Sequence, residues 1–218
     1  MSFDSGTFWV LFGLSWLLWW RLPFSWAKTA ALAASLIFYA WWSPYYLPLI
    51  IISAVVDYAA GGRIHAAKTD GARTRWLLVS LCTNLGLLGY FKYGHFALEN
   101  LDSIAGALGV EGVNTAIPWV VPVGISFYTF QTLSYSIDIY RGRLAPAKSF
   151  RDFFLFVAFF PQLVAGPIVR AQELLPQFQR RQWPSPWRIQ NGLYLIVWGL
   201  FTKIVVADNL APEIDRIF

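Results

Sequence analysis

Long apolar stretches alternate with short polar breaks along almost the entire chain. Residues 7–20, 29–42, 45–60, 76–96, 118–140 and 191–207 read as membrane helices. Crossing a bilayer takes about 20 predominantly apolar residues, so the shorter of these need tilt or flanking turns. Ser43-Pro44 allows a tight break, Gly61-Gly62 is expected to end the third helix at Ala60, and residues 99–115 read as a polar loop. Residues 153–169 are apolar but interrupted by Pro161, Gly166 and Pro167. Irregular backbone at membrane depth is tolerated only where protein or a wet cavity surrounds it.

The distribution of charge turns this pattern into a topology. Arg and Lys gather in the stretches 21–28, 61–75, 141–151 and 170–190, whereas 99–117 carries only acidic charges. Basic loops stay on the cytoplasmic side, so the N-terminus is expected outside. A full crossing by 153–169 would leave the basic 170–190 stretch external. That segment is therefore expected to be re-entrant, dipping in from the cytoplasmic face and returning to it. Trp183 and Trp187, alternating with Pro184 and Pro186, read as an interfacial turn.

Composition supports a membrane protein. Hydrophobic residues make up 57% and charged ones 13%, with 12 Trp, 10 Tyr and 18 Phe to form aromatic belts at the two interfaces. The net charge of +5 sits in the loops that set orientation, so nucleic acid is excluded as a partner, and membrane lipid is the expected one. Cys82 stands alone in an apolar stretch, which rules out a disulfide framework and a zinc cluster. The reading is thus an all-α membrane protein, a single membrane domain over residues 1–218. It is a polytopic bundle of about six transmembrane helices plus a re-entrant segment.

Candidate chemistry concentrates in 118–140. Phe127, Gln131, Ser134 and Asp138 share one helical face, and Tyr128, Thr132, Tyr135 and Ile139 the adjoining one. Facing lipid, these polar groups would carry a heavy desolvation cost, so they either bond neighbouring helices or line a wet chamber. The chamber-lining candidates are Tyr128, Gln131, Ser134, Asp138 and Gln162. Asp138, beside Arg141 and Arg143, also reads as an interfacial ion-pair partner. Asp57 reads either as a helix-end acid or as a functional one. Lys92 reads as snorkelling to the headgroups and His65 as solvated. His95 is the remaining candidate proton carrier. No Ser-His-Asp or Cys-His arrangement is present, so no nucleophilic site is expected.

Longer motifs carry a resemblance. VGISFYTFQTLSYSIDIYRG at 123–142 and FFPQLVAGPIVR at 159–170 resemble the N-terminal half of a membrane-bound O-acyltransferase, of the bacterial alginate-type branch. LGYFKY at 88–93 and FYAWW at 38–42 are similar to that branch too. The resemblance implies an inner-membrane enzyme that brings an acyl donor and a hydroxyl acceptor together. In this branch it implies acetyl groups passed toward periplasmic acetyltransferases that modify an exopolysaccharide such as alginate. No bound cofactor or metal is implied, and the acetyl donor is unidentified. The family's catalytic histidine, in a Trp-Arg-Arg-Trp-His-like segment, is expected beyond Phe218, so that no residue of 1–218 is catalytic and the stretch alone is inactive. The alternative is a non-catalytic transport or scaffold subunit, for which a polar helix beside a broken segment would form the site.

Overall fold

The computed structural model describes residues 3–42, 44–107, 121–164 and 167–216. Among these the regular structure is all helix, without a strand. The principal helices are α1 Gly6–Arg21, α2 Phe24–Trp42, α3 Leu47–Ala66, α4 Asp70–Leu88, α5 Gly94–Ala107 and α6 Ile125–Tyr140. They are followed by α7 Phe150–Ala158, α8 Phe160–Leu163, α9 Ala171–Leu174, α10 Pro186–Phe201 and α11 Asp208–Asp215. Two continuous helical stretches, 44–66 and 186–215, are long and apolar enough to cross a membrane.

Hydroxyl side chains start several of these helices by accepting the free N–H groups of the first turn. Ser5 caps α1 through Phe8 N, Thr69 caps α4 through Ala72 N, Ser149 caps α7 through Asp152 N, and Ser185 caps α10 through Arg188 N. Several boundaries differ from the sequence expectation. α3 does not stop at Gly61-Gly62 but runs on to Ala66. Gly61 is there for packing: a Cβ on it would lie 2.7 Å from Tyr135 Cε1 and 2.9 Å from Ile139 Cδ1. α4 begins at Asp70, inside the expected basic loop, and a wide turn at Gly89–Tyr93 carries it into α5. Helical structure thus extends through much of the expected 99–115 loop, to Ala107. α6 starts only at Ile125, because Gly124 takes φ +77° and lets the backbone turn against Leu163 O.

The interior is mainly apolar, but the surface is unlike that of a water-soluble protein. Trp26, Trp41, Ile37 and Val10 face outward, while Ser35, Ser53, Asp57, Ser80, Asn84, Thr132 and Ser136 are fully or almost fully buried. Such a surface matches hydrocarbon outside and polar pairing inside. α3, α4 and α6 pack on one another, α1 packs on α2, and α7 lies in the middle against α2, α3 and α6.

Several cationic side chains meet at one end. Arg73 donates to Tyr140 O, joining the start of α4 to the end of α6. Tyr58 meets Phe150 ring to ring at 5.5 Å. Lys28 on α2 pairs with Asp152 on α7, its Nζ 2.7 Å from Oδ1, and Arg151 donates to Ser25 Oγ at 2.9 Å. The segment after α6 begins at this end, climbs along α2 until Phe160 meets Phe38 at 5.7 Å, and then comes back. Phe178 returns to Trp19 at 6.3 Å, and Arg181 donates to Leu22 O at 2.7 Å. α7 has nine residues, about 14 Å of helix, against about 30 Å of hydrocarbon.

α10 stands apart, with no residue of α10 or α11 buried. Contacts near its two ends tie it to α1: Trp183 stacks on Trp20 at 4.8 Å, and Lys203 pairs with Asp4 at 3.2 Å.

Candidate functional site

The cut between α7 and α8 is where the polar face of α6 meets the broken segment. In an unbroken helix Phe156 O would accept from Phe160 N. Phe159, at φ −58° and ψ 107°, prevents that. Both separated groups find side-chain partners. Phe156 O accepts Gln131 Nε2 at 2.9 Å and Gln162 Nε2 at 3.1 Å, and Phe160 N donates to Ser35 Oγ at 3.2 Å. Pro161 explains the position of the cut, since its ring would clash with the carbonyl of Val157 and it has no N–H to offer. A buried peptide group without a partner carries a desolvation cost of about 1–3 kcal/mol, and these two are paired.

Beside the cut lies a cavity of about 320 Å³. Phe12, Trp16 and Trp19 of α1 and Phe160 and Pro161 of the broken segment form its apolar wall, and Arg180 with Gln182 closes the basic end. The volume is near the lower end of small-molecule pockets.

The predicted site residues fall into distinct places. Gln131 is 4% exposed and Tyr128 1%, both facing inward. The Tyr128 hydroxyl is buried beside that of Tyr39, and among the described residues neither has a hydrogen bond of normal geometry. Ser134 is at the margin of the face and donates to Gln131 O at 2.7 Å. Gln162 is half-buried, and Pro161 rather than Gln162 lines the cavity. Pro167 follows in irregular chain, and Gly166 lies outside the described residues. Asp138 departs from the ion-pair expectation: it is 5% exposed and, among the described residues, pairs with neither Arg141 nor Arg143. Its place on α6 turns the carboxylate into the bundle while the arginines continue outward.

Asp57 also departs from the helix-end reading. With α3 extended to Ala66 it sits near mid-helix, fully buried. It accepts from Ser80 Oγ, from Asn84 Nδ2 at 2.8 Å and from Ser136 Oγ at 3.4 Å. Ser35, Ser53, Ser80 and Asn84 were not singled out from sequence. The signal for three of them was the i, i+4 spacing of Ser53 with Asp57 and of Ser80 with Asn84 inside apolar helices. His65 and His95 are exposed, the latter 3.2 Å from Glu99, and neither joins this interior. Lys92 is exposed over the Tyr93 ring.

No family model and no solved structure matches the chain. Curated proteins do. The "Probable alginate O-acetylase AlgI" of Azotobacter vinelandii is 38% identical over 226 aligned positions, covering all of this chain and 44% of that protein. The protein of the same name from Pseudomonas aeruginosa is 40% identical across 86% of this chain and 36% of its own length. The "Peptidoglycan O-acetyltransferase" of Helicobacter pylori is 36% identical across 84% of this chain and 38% of its own. The chain therefore spans less than half the length of the curated relatives it matches. Identity of 36–40% over most of this chain makes it a homologue of membrane-bound O-acyltransferase-type O-acetyltransferases.

Proposed function

We propose that this chain supplies membrane helices and part of the reaction chamber of an O-acetyltransferase. The enzyme passes acetyl groups across a bacterial inner membrane toward a polysaccharide such as alginate. The observation that carries the reading is the identity, over most of this chain, to proteins named for O-acetylation. The geometry supports it in three ways. The outward surface is largely apolar, Lys28, Arg73, Arg151 and Arg181 meet at one end, and a broken segment enters and leaves at that end beside a cavity.

In this reading α1, α2, α3, the α4–α5 unit, α6 and α10 are the about six crossings. The basic end is cytoplasmic by the positive-inside preference, which puts the N-terminus in the periplasm. None of Tyr128, Gln131, Ser134, Asp138 and Gln162 lines the cavity beside the cut; in this reading they form the chamber wall of the complete enzyme, with Gln131 and Gln162 holding the cut carbonyl in place. The donor is an acetyl carrier, and periplasmic acetyltransferases receive the group. The base that deprotonates the acceptor hydroxyl is not His65 or His95, since both point away from the interior.

The test is complementation with the complete protein in a strain lacking it, reading ester-linked acetyl groups on the polysaccharide against protein abundance. Wild type should restore acetylation. Gln162→Leu should lower it while abundance stays near normal, because Gln131 still holds Phe156 O. No acetyl ester above the empty-vector level with wild type would retire the acetyltransferase reading. Undiminished transfer by Gln162→Leu would reduce Gln162 to packing.

A further inference from the structure

The cavity beside the cut is polar at one end and apolar along the rest of its length. α1 and the returning segment meet ring to ring at Phe12–Phe160, 6.4 Å, and at Trp19–Phe178, 6.3 Å, and all four rings line it. Its charged and amide side chains are Gln177, Arg180 and Gln182, all exposed at the basic end, and Ser15 of α1 is its one hydroxyl.

Aromatic groups mark the level of that end in a bilayer. Trp183 stacks on Trp20 at 4.8 Å, and Trp183 and Trp187 are 72% and 68% exposed. Exposed Trp sits at headgroup depth, and Arg180 and Gln182 adjoin Trp183 in the chain. From Trp20 the lining follows α1 inward to Phe12, about 12 Å of helix. Half the hydrocarbon thickness is about 15 Å, so the cavity reaches through most of one leaflet and no further. Trp16 lines it while being 52% exposed, so it opens sideways to hydrocarbon. An apolar cavity does not hold water, and acyl chain is what lies outside it.

The charge at the mouth selects a head group. Arg180 has no ion-pair partner among the described residues. Residues 170–190 carry Arg170, Arg180, Arg181 and Arg188 against Glu173 alone. Arg181 donates to Leu22 O, which brings Arg21, the last residue of α1, to the same place. A guanidinium offers a phosphodiester two parallel N–H groups.

We propose that this cavity binds an anionic phospholipid from the leaflet at the basic end. One acyl chain lies along Phe12, Trp16 and Trp19 against Phe160 and Pro161, and the phosphate sits at Arg180. A free anion would leave the apolar length unused, and the ammonium of a zwitterionic lipid would face the arginines. The proposal rests on the chain's lying in a membrane and not on acetyl transfer.

The test uses the complete protein in phosphatidylcholine nanodiscs with a trace of phosphatidylglycerol carrying a diazirine in its acyl chain. After irradiation, label should concentrate on the peptide holding Phe12 to Trp19 and on that holding Phe160 and Pro161. Unlabelled phosphatidylglycerol should compete it away, and inorganic phosphate should not. Phosphatidylcholine with the same diazirine should mark these peptides no more strongly than the rest of the protein. Ser15→Phe, which puts a ring into the cavity, should abolish the label on α1. Arg180→Gln, at an exposed position where folding is not at stake, should raise the half-competing fraction of phosphatidylglycerol about fivefold, the factor for one arginine at an anionic surface. Equal labelling of these peptides by the two lipids, or competition by phosphate, would overturn the proposal. Label no denser on α1 than elsewhere would mean that protein covers the cavity, and label unchanged in Arg180→Gln would place the head group elsewhere; each overturns it too.

Discussion

The Lys28–Asp152 pair makes an asymmetric prediction. The Lys28 ammonium is 2.7 Å from Oδ1 and 2.9 Å from Oδ2 of Asp152, with side-chain exposures of 10% and 12%. Removing one partner of a buried pair leaves the other charge stranded, at a cost of about 3–5 kcal/mol. The two deletions are not equivalent. Asp152→Asn leaves the ammonium a neutral amide oxygen and the Phe24 ring, 5.0 Å away, with no counter-charge among the described residues, and should reach that range. Lys28→Met leaves the carboxylate with Arg151 Nε at 3.6 Å and in the first turn of α7, where the helix dipole favours it by about 0.3–1 kcal/mol. Its cost should be nearer the loss of a charged hydrogen bond, about 1.5–3 kcal/mol. The double variant Lys28→Met/Asp152→Asn strands no charge and should recover at least half the loss of Asp152→Asn. Unfolding in mixed micelles titrated with SDS and followed by far-ultraviolet circular dichroism gives the three values. Equal losses for the two single variants, or additivity in the double, would refute the argument from stranded charge.

The paired glycines of α3 should respond oppositely. Gly62→Ala meets nothing within 4 Å and should stabilise by up to about 1 kcal/mol, the ordinary gain of Ala over Gly in a helix. Gly61→Ala drives a methyl into Tyr135 and Ile139 and should destabilise by about 1–3 kcal/mol, as overpacking does; the same titration reads both, and a gain at Gly61 would mean that α3 and α6 separate freely. For topology, with Cys82 first replaced by Ser, a Cys at Asn114 should react with an impermeant maleimide added outside intact cells and one at Thr69 should not. External labelling at Thr69 would invert the orientation.

The sequence carried some of this architecture and concealed the rest for physical reasons. Pro161, Gly166 and Pro167 announced a break, and the basic residues on either side announced a return. The cut itself falls at Phe159, before the first proline, because the ring of Pro161 acts on the carbonyl four residues back. Gly61-Gly62 looked like a stop because glycine weakens an isolated helix, whereas in a bundle the same lack of Cβ lets a tyrosine ring approach. The polar face of α6 was visible from its own periodicity. Its partners were not, since periodicity within one helix says nothing about which other helix lies opposite. Asp57 illustrates the limit: its importance depends on Ser80, Asn84 and Ser136 arriving from two other helices.

The paired cut between α7 and α8 has a bearing on the order of synthesis. Its two separated backbone groups are met by Gln131 and Ser35, both translated before Phe156 leaves the ribosome, with Gln162 following a few residues later. The broken segment therefore has no dry resting place of its own. It can leave water only after α2 and α6 already stand in the bilayer with their polar side chains turned inward. A nascent chain arrested just after α6 holds a vacant berth, and the next thirty or so residues are the cargo shaped to enter it, about 14 Å deep at α7.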